Sequence, residues 1–194
     1  MLLPILLVLA GIVVGLVVLI ATRPAGFLVS RSVRIAAPAE VVFGHLRDLR
    51  AWSGWNPFER NDPAARLTYG ATTSGVGGTY HFAGPRSGEG RMTITGVEEN
   101  ARLEVRAEFL KPLRATNRIE FTVEPDGGAT RVTWAMSGRN GFMFKAFSLV
   151  MSMDRMVGGE FEKGLAELGR LAETAASRPR RSVPGSVVAA SQED

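Results

Sequence analysis

Residues Leu2 to Ala21 are an unbroken run of Leu, Ile, Val, Ala, Gly and one Pro without a charge, and no other feature restricts the chain as much. At about 1.5 Å rise per residue, twenty helical residues cover roughly 30 Å, the hydrocarbon thickness of a bilayer. The run exceeds a signal-peptide h-region and has no basic n-region. It leaves through Ile20, Ala21, Thr22, Arg23 and Pro24, with no small-x-small cleavage pattern. Residues 1–22 are therefore read as an uncleaved transmembrane anchor in preference to a cleavable signal. Arg23, Arg31 and Arg34 follow the run and no positive side chain precedes it. The positive-inside rule then makes this a single-pass inner (cytoplasmic) membrane protein with its soluble domain in the cytoplasm. Gly11 and Gly15 make a G-x-x-x-G step that would permit weak self-association, although glycine is common in such helices anyway.

Beyond a short linker at 23–26, one domain is expected over 27–175, followed by a disordered tail at 176–194 in which Arg178, Pro179, Arg180, Arg181 and Pro184 mix with Ser, Ala and Val. The linker holds the domain close to the headgroups. A net charge of +4 and a pI near 10.1 suit an anionic leaflet. Lys and Arg are scattered and not clustered on one element, so no nucleic-acid partner is expected. The chain has no cysteine, which removes disulfides and thiolate chemistry.

Hydrophobic periodicity divides the domain. Phe27 to Ile35 reads as a strand, and Pro38 opens a helix with Val41, Val42, Leu46 and Leu49 at helical spacing. A second helical turn holds Trp52 and Trp55 and ends before Pro57. Apolar residues then fall on every second position: Met92 and Ile94; Leu103, Val105, Ala107 and Phe109; Ile119, Phe121 and Val123; Val132, Trp134 and Met136. Arg and Glu occupy the positions between them, the pattern of an antiparallel sheet with one wet face. Glu99-Asn100, Lys111-Pro112 and Pro125-Asp126-Gly127-Gly128 supply turns. A long helix is expected from Phe142 to about Thr174, with Phe147, Met151, Phe161, Leu165 and Leu168 on its apolar stripe and a kink or junction at Gly158-Gly159.

Little in the chain announces chemistry. His45 and His81 have no ligand-spaced partner, so neither metal nor catalytic histidine is expected. Ser74 to Thr79 is glycine-rich but lacks a following Gly-Lys-Ser/Thr and enters a strand, so it is a turn and no nucleotide cofactor is expected. Asp154 interrupts the apolar stripe of the last helix and is read as a solvated flank. No positioned acid or base is found. The inward apolar positions, by contrast, are rich in aromatic and methionine side chains, which make adaptable walls.

These residues carry a resemblance. The segments Ala36-Pro38 and Val41-Phe43, the element Trp52-x-x-Trp55-x-Pro57 with Asp62-Pro63, Gly75-Val76-Gly77 before Tyr80, and Gly88-x-Gly90 before Met92-Thr93-Ile94 are part of it. Lys111-Pro112, Thr130-x-Val132-Thr133-Trp134-x-Met136-x-Gly138 and Met153-Asp154-x-Met156-x-Gly158-x-x-Phe161-x-x-Gly164-Leu165 complete it. The chain resembles membrane-anchored members of the polyketide cyclase/dehydratase branch of the START-like, Bet v 1-like (SRPBCC) superfamily. The resemblance implies an α+β helix-grip fold, a curved antiparallel sheet wrapped around a long C-terminal helix, here preceded by the N-terminal transmembrane helix. It also implies an apolar cavity lined by Trp52, Trp55, Tyr80, Phe82, Phe109, Phe121, Trp134, Met136, Phe147 and Met151, with Phe82 where many relatives carry tryptophan. It supplies no catalytic signature. Binding of a lipid or other hydrophobic small molecule without catalysis is the favoured function. A cyclase/dehydratase-like enzyme on an aromatic or polyketide-type substrate, and a membrane scaffold or stress protein with an incidental cavity, stay open.

Overall fold

Alternating apolar and charged residues make strands that need a partner on each side, and the chain meets that need chiefly with its own neighbours. The computed structural model describes residues 2–22, 24–139, 141, 145 and 153–178. Its strands are β1 (Gly26–Ile35), β2 (Arg66–Tyr69), β3 (Thr79–Gly84), β4 (Gly88–Glu98), β5 (Arg102–Lys111), β6 (Ala115–Asp126) and β7 (Ala129–Arg139). They form one antiparallel sheet in the order β1-β7-β6-β5-β4-β3-β2. From β2 to β7 each strand pairs with the next, and β1 alone makes a distant pairing, from Gly26 opposite Arg139 to Ile35 opposite Thr130. Gly127 and Gly128, with φ of 57° and 82°, make the left-handed two-residue turn between β6 and β7. The outer face carries an Arg–Glu lattice that includes Arg118 with Glu104 at 2.7 Å and Arg91 with Glu108 at 2.8 Å. Such exposed pairs add little stability, so the register is set by the buried face.

The helices close that face. α2 (Ala39–Leu46) follows Pro38, whose extended backbone cannot continue a helix from the strand side. A 3₁₀ turn at Leu49–Gly54 is capped by the Asp48 carboxylate, which accepts from the Arg50 amide at 2.9 Å. The Trp52 and Trp55 indoles donate to the Leu46 and His45 carbonyls at 2.8 and 3.1 Å. They thereby satisfy carbonyls at the end of α2 that lack an intrahelical partner. Where a stop before Pro57 was expected, a further turn begins: α3 (Pro57–Arg60) has proline in its first turn and Asn56 as its cap, the Asn56 side-chain Oδ1 accepting from the Phe58 amide at 3.2 Å. The short edge strand β2 was likewise not anticipated.

The C-terminal helix α4 (Met153–Ala176) lays Val157, Phe161, Leu165, Leu168 and Ala172 on the sheet. It runs through Gly158 and Gly159 as one helix, so there is no junction between two helices at that pair. A Cβ at residue 158 would collide with the Arg31 guanidinium, so close packing on the sheet explains that glycine. Asp154, read as a solvated flank, is exposed yet holds Arg31 of β1 through two hydrogen bonds of 2.8 and 3.0 Å, while Glu162 takes a third at 2.7 Å. These two carboxylates, Asp154 first, hold the guanidinium above its ordinary pKa. The expected helix start at Phe142 and nearly all of the expected tail lie outside the described residues.

The N-terminal run is a helix, α1 (Leu2–Thr22), whose apolar side chains are exposed. Among the described residues it is the one helix long and apolar enough to cross a membrane. The Lys145 ammonium donates to the Ala21 carbonyl at its C-terminal end, at 3.3 Å, where the helix dipole favours a cation.

Candidate functional site

The inner face of the sheet changes character along the strands. At the end away from α1, Phe121 and Trp134 face each other across β6 and β7, and Leu103, Val105, Val123 and Val132 fill in around them, all but fully buried. At the other end, where β1 begins and β7 stops, two cross-strand rows read Phe82-Gly90-Phe109-Ala115 and Tyr80-Met92-Ala107-Asn117. Small residues interrupt both. A Cβ on Gly90 would strike the Phe82 ring, and one on Gly138 would strike the Asn117 amide, so these glycines let neighbouring side chains lie flat on the sheet. Less of the face projects inward there, and a cavity of about 340 Å³ opens between the sheet, α3 and the first turns of α4. The volume is in the range of small-molecule sites.

Of the residues expected to line a cavity, Trp52, Tyr80, Phe82, Phe109, Trp134 and Met136 do so. Trp55 and Phe121 stand behind it. Their rings meet edge-on at 5.7 Å, and each packs against Trp52 and Trp134, which is core work. Phe147 and Met151 lie outside the described residues. Phe27, Phe58, Leu67, Met92, Ile119, Val157 and Phe161 complete the apolar wall. Trp134 is stacked on Phe161 with ring centroids 4.0 Å apart. The exposed lining residues Phe58, Asn61, Arg86 and Arg139 mark the mouth.

Asp62 looks like a free carboxylate at that mouth but is engaged. It accepts from the Arg86 and Ser87 amides at 2.9 and 2.8 Å and from the Ser87 hydroxyl at 2.8 Å, locking the β3–β4 turn to the end of α3. The Ser87 amide first, with the Ser87 hydroxyl and the Arg86 amide, holds its pKa below the ordinary value.

Glu59 is different, and sequence reasoning missed it. It sits on α3, the turn that was not anticipated, and points inward beside Asn56 and Tyr80, which also line the cavity. One carboxyl oxygen accepts from the Asn56 side-chain amide at 3.3 Å; the other, Oε2, is buried with no partner in good hydrogen-bond geometry, although the Tyr80 hydroxyl lies close enough to act on the carboxyl as a donor. Burial raises its pKa, with Tyr80 and Asn56 pulling partly the other way. Burial first and then Glu59 push the Tyr80 hydroxyl well above its usual range. Two more buried polar atoms on lining residues lack a partner: Asn117 Oδ1 and Trp134 Nε1. Trp134 thus differs from Trp52 and Trp55, whose N–H groups are satisfied. An unsatisfied buried polar group costs about 1–3 kcal/mol, and native proteins keep few. The available signal was an alternating strand position occupied by Asn117 and a polar residue two places after Pro57. Among the described residues, no group of three His, Asp or Glu could hold a metal.

Comparison with known proteins agrees on the architecture. A putative uncharacterized protein from Rhizobium leguminosarum shares 16% identity over 78% of this chain and 97% of its own, with a TM-score of 0.59. A hypothetical protein from Helicobacter pylori shares 18% over 75% and 88%, with a TM-score of 0.58. Ara h 8.0201 shares 9% over 78% and 97%, with a TM-score of 0.50. At these identities the likeness shows the fold alone, an α+β Bet v 1-like sheet packed on a C-terminal helix. No curated protein matches by sequence. The family described as polyketide cyclase / dehydrase and lipid transport matches residues 27–173. With most of the chain inside that match, and with a cavity where sheet and C-terminal helix part, this protein is a member of the polyketide cyclase / dehydrase and lipid transport family, of the SRPBCC, Bet v 1-like class.

Proposed function

We propose that the chain is a membrane-tethered container that takes up a hydrophobic small molecule or single-chain lipid from the adjoining leaflet, without catalysis, with its domain on the cytoplasmic side. The observation that carries this is where the cavity opens. Gly26 pairs with Arg139, Phe109 with Ala115, Glu89 with Lys111 and Gly84 with Gly88, so the mouth lies at the end of the sheet where α1 joins β1. Phe27 lines the cavity only five residues beyond Thr22, a reach of at most about 18 Å. The β5–β6 connection at that end exposes Leu110 and Leu113, at 39% and 42%, beside Lys111 and Arg114. Apolar side chains flanked by cations suit an anionic bilayer surface.

Native mass spectrometry and lipid extraction of the full chain in membrane patches test the container. A co-purifying apolar molecule, lost when Ala115→Leu narrows the cavity, is the expected result; a bare protein with no uptake of an apolar fluorophore overturns it. Cytoplasmic orientation predicts a bright C-terminal fluorescent-protein fusion and an inactive alkaline phosphatase fusion. A mature protein beginning beyond Thr22 overturns the tether.

A second reading, proton transfer on an aromatic or polyketide-type substrate, is favoured by one observation, the buried Glu59 carboxyl beside Tyr80. Turnover of such a substrate that Glu59→Gln abolishes without weakening binding would move the protein into the enzymatic class.

A further inference from the structure

The polar atoms in the cavity say more about its occupant than the apolar walls do. Glu59 Oε2, Asn117 Oδ1 and Trp134 Nε1 are all buried and without a partner, and all three residues line one space. Asn117 and Trp134, at 6% and 1% exposure, are out of reach of bulk water. Elsewhere the chain satisfies such groups with care, as the indoles of Trp52 and Trp55 show. Packing does not account for three orphans in one pocket, because an apolar side chain of similar shape would remove each penalty.

Resting on the container reading above, we propose that the cavity binds a compact amphiphile whose apolar body carries an uncharged hydroxyl group, and that this hydroxyl docks on the Glu59 carboxyl beside Asn56 and Tyr80. The size follows from the volume. About 340 Å³ lies at the small end of small-molecule sites, which suits a compact body of two or three rings or one short chain. The chemistry follows from the surroundings. Among the described residues the cations that line the cavity are Arg86 and Arg139, and neither forms an ion pair with Glu59; both are exposed at the mouth, and Arg86 donates to the Asn61 carbonyl at 3.3 Å. A carboxylate head would be drawn outward to them and repelled by an ionised Glu59. Burial favours the neutral form of Glu59, which weakens it as a counter-charge for an ammonium head. A hydroxyl suits both forms, because it donates to the carboxylate and accepts from the acid.

The test uses the full chain in nanodiscs and four probes that share one body: naphthalene, 2-naphthol, 2-naphthoate and 2-naphthylmethylammonium, titrated by calorimetry against empty nanodiscs. Naphthalene is the most apolar and binds most tightly wherever burial alone decides. The expected result is 2-naphthol binding at least tenfold more tightly than naphthalene and the two ions. Glu59→Leu should bring 2-naphthol down to the naphthalene level while naphthalene still binds, which shows the cavity intact. Glu59→Gln, which keeps a hydrogen-bonding head, should restore most of the preference. Naphthalene binding as well as 2-naphthol, or a preference untouched by Glu59→Leu, overturns the assignment and leaves those atoms to water. Tightest binding of 2-naphthoate, lost in Arg86→Ala with Arg139→Ala, overturns it in favour of an anion at the mouth. Tightest binding of the ammonium overturns it in favour of an ionised Glu59. Failure of all four probes brings down the container reading itself, whereas uptake without preference removes only the hydroxyl.

Discussion

The two halves of the inner face are made from the same strands and the same alternation, yet one is solid and the other hollow. In the closed half, α2 and the 3₁₀ turn push Trp52 and Trp55 against Phe121 and Trp134, with ring centroids 5.1 to 5.7 Å apart. In the open half, the strands present Gly90, Ala107, Ala115 and Gly138, and among the described residues the four-residue α3 and the start of α4 reach over them. Apolar character is therefore common to core and cavity wall. What separates them is the size of the residues on the inward positions and whether a helix drops bulk onto them.

Truncation should show the contrast most strongly. Trp55→Ala or Phe121→Ala removes a ring packed on every side and should lose about 3–5 kcal/mol in denaturant unfolding, whereas Phe109→Ala, on the cavity wall, should lose less than half of that and chiefly alter uptake. Equal losses would erase the distinction. Filling is the converse. Ala172→Leu, under α4 in the closed half, should destabilise by about 1–3 kcal/mol, while Ala115→Leu should be nearly neutral in the same measurement and abolish binding of an apolar fluorophore.

Protonation separates the halves more gently. Below about pH 4.5 the folded and unfolded chains both hold the Glu59 proton; above it the unfolded chain releases its proton first. Stability therefore falls as pH rises from there through the raised native value. Glu59→Gln should remove that slope and leave the protein more stable than wild type at neutral pH, as followed by thermal unfolding across pH 4–8. Asp62 works in the opposite sense, its contribution fading as pH falls through its lowered native value. The smallest effect belongs to the rim. Leu113→Asp should change stability by no more than about 0.5 kcal/mol and yet lower quenching by bromolipids of a probe placed through Leu110→Cys, a clean label in a chain without cysteine. Unaltered quenching would mean that the mouth stands clear of the bilayer.

Much of this was legible beforehand, for physical reasons. Strands β4 to β7 are long and strictly alternating, and the helical stripe through Phe161, Leu165 and Leu168 is equally plain, so the sheet and its covering helix follow from periodicity. α3 did not, because four residues hold barely one turn and a proline reads first as a stop, although it also suits a first helical position. Glu59 was lost with it. Trp55 and Phe121 were grouped with the lining because alternation names a face and not a depth along it. Gly90 and Gly138 were visible, but what a missing Cβ makes room for depends on a neighbour in another strand.

The short connection between α1 and β1 has a kinetic meaning. If α1 lies in the bilayer, as proposed, a ligand dissolved in the leaflet can meet the mouth by lateral diffusion without crossing bulk water. Partitioning concentrates an apolar ligand in the leaflet well above its aqueous level, and a short tether keeps the mouth beside that pool. A site of only micromolar intrinsic affinity would then stay filled in the membrane, empty on dilution into detergent, and refill on return to lipid.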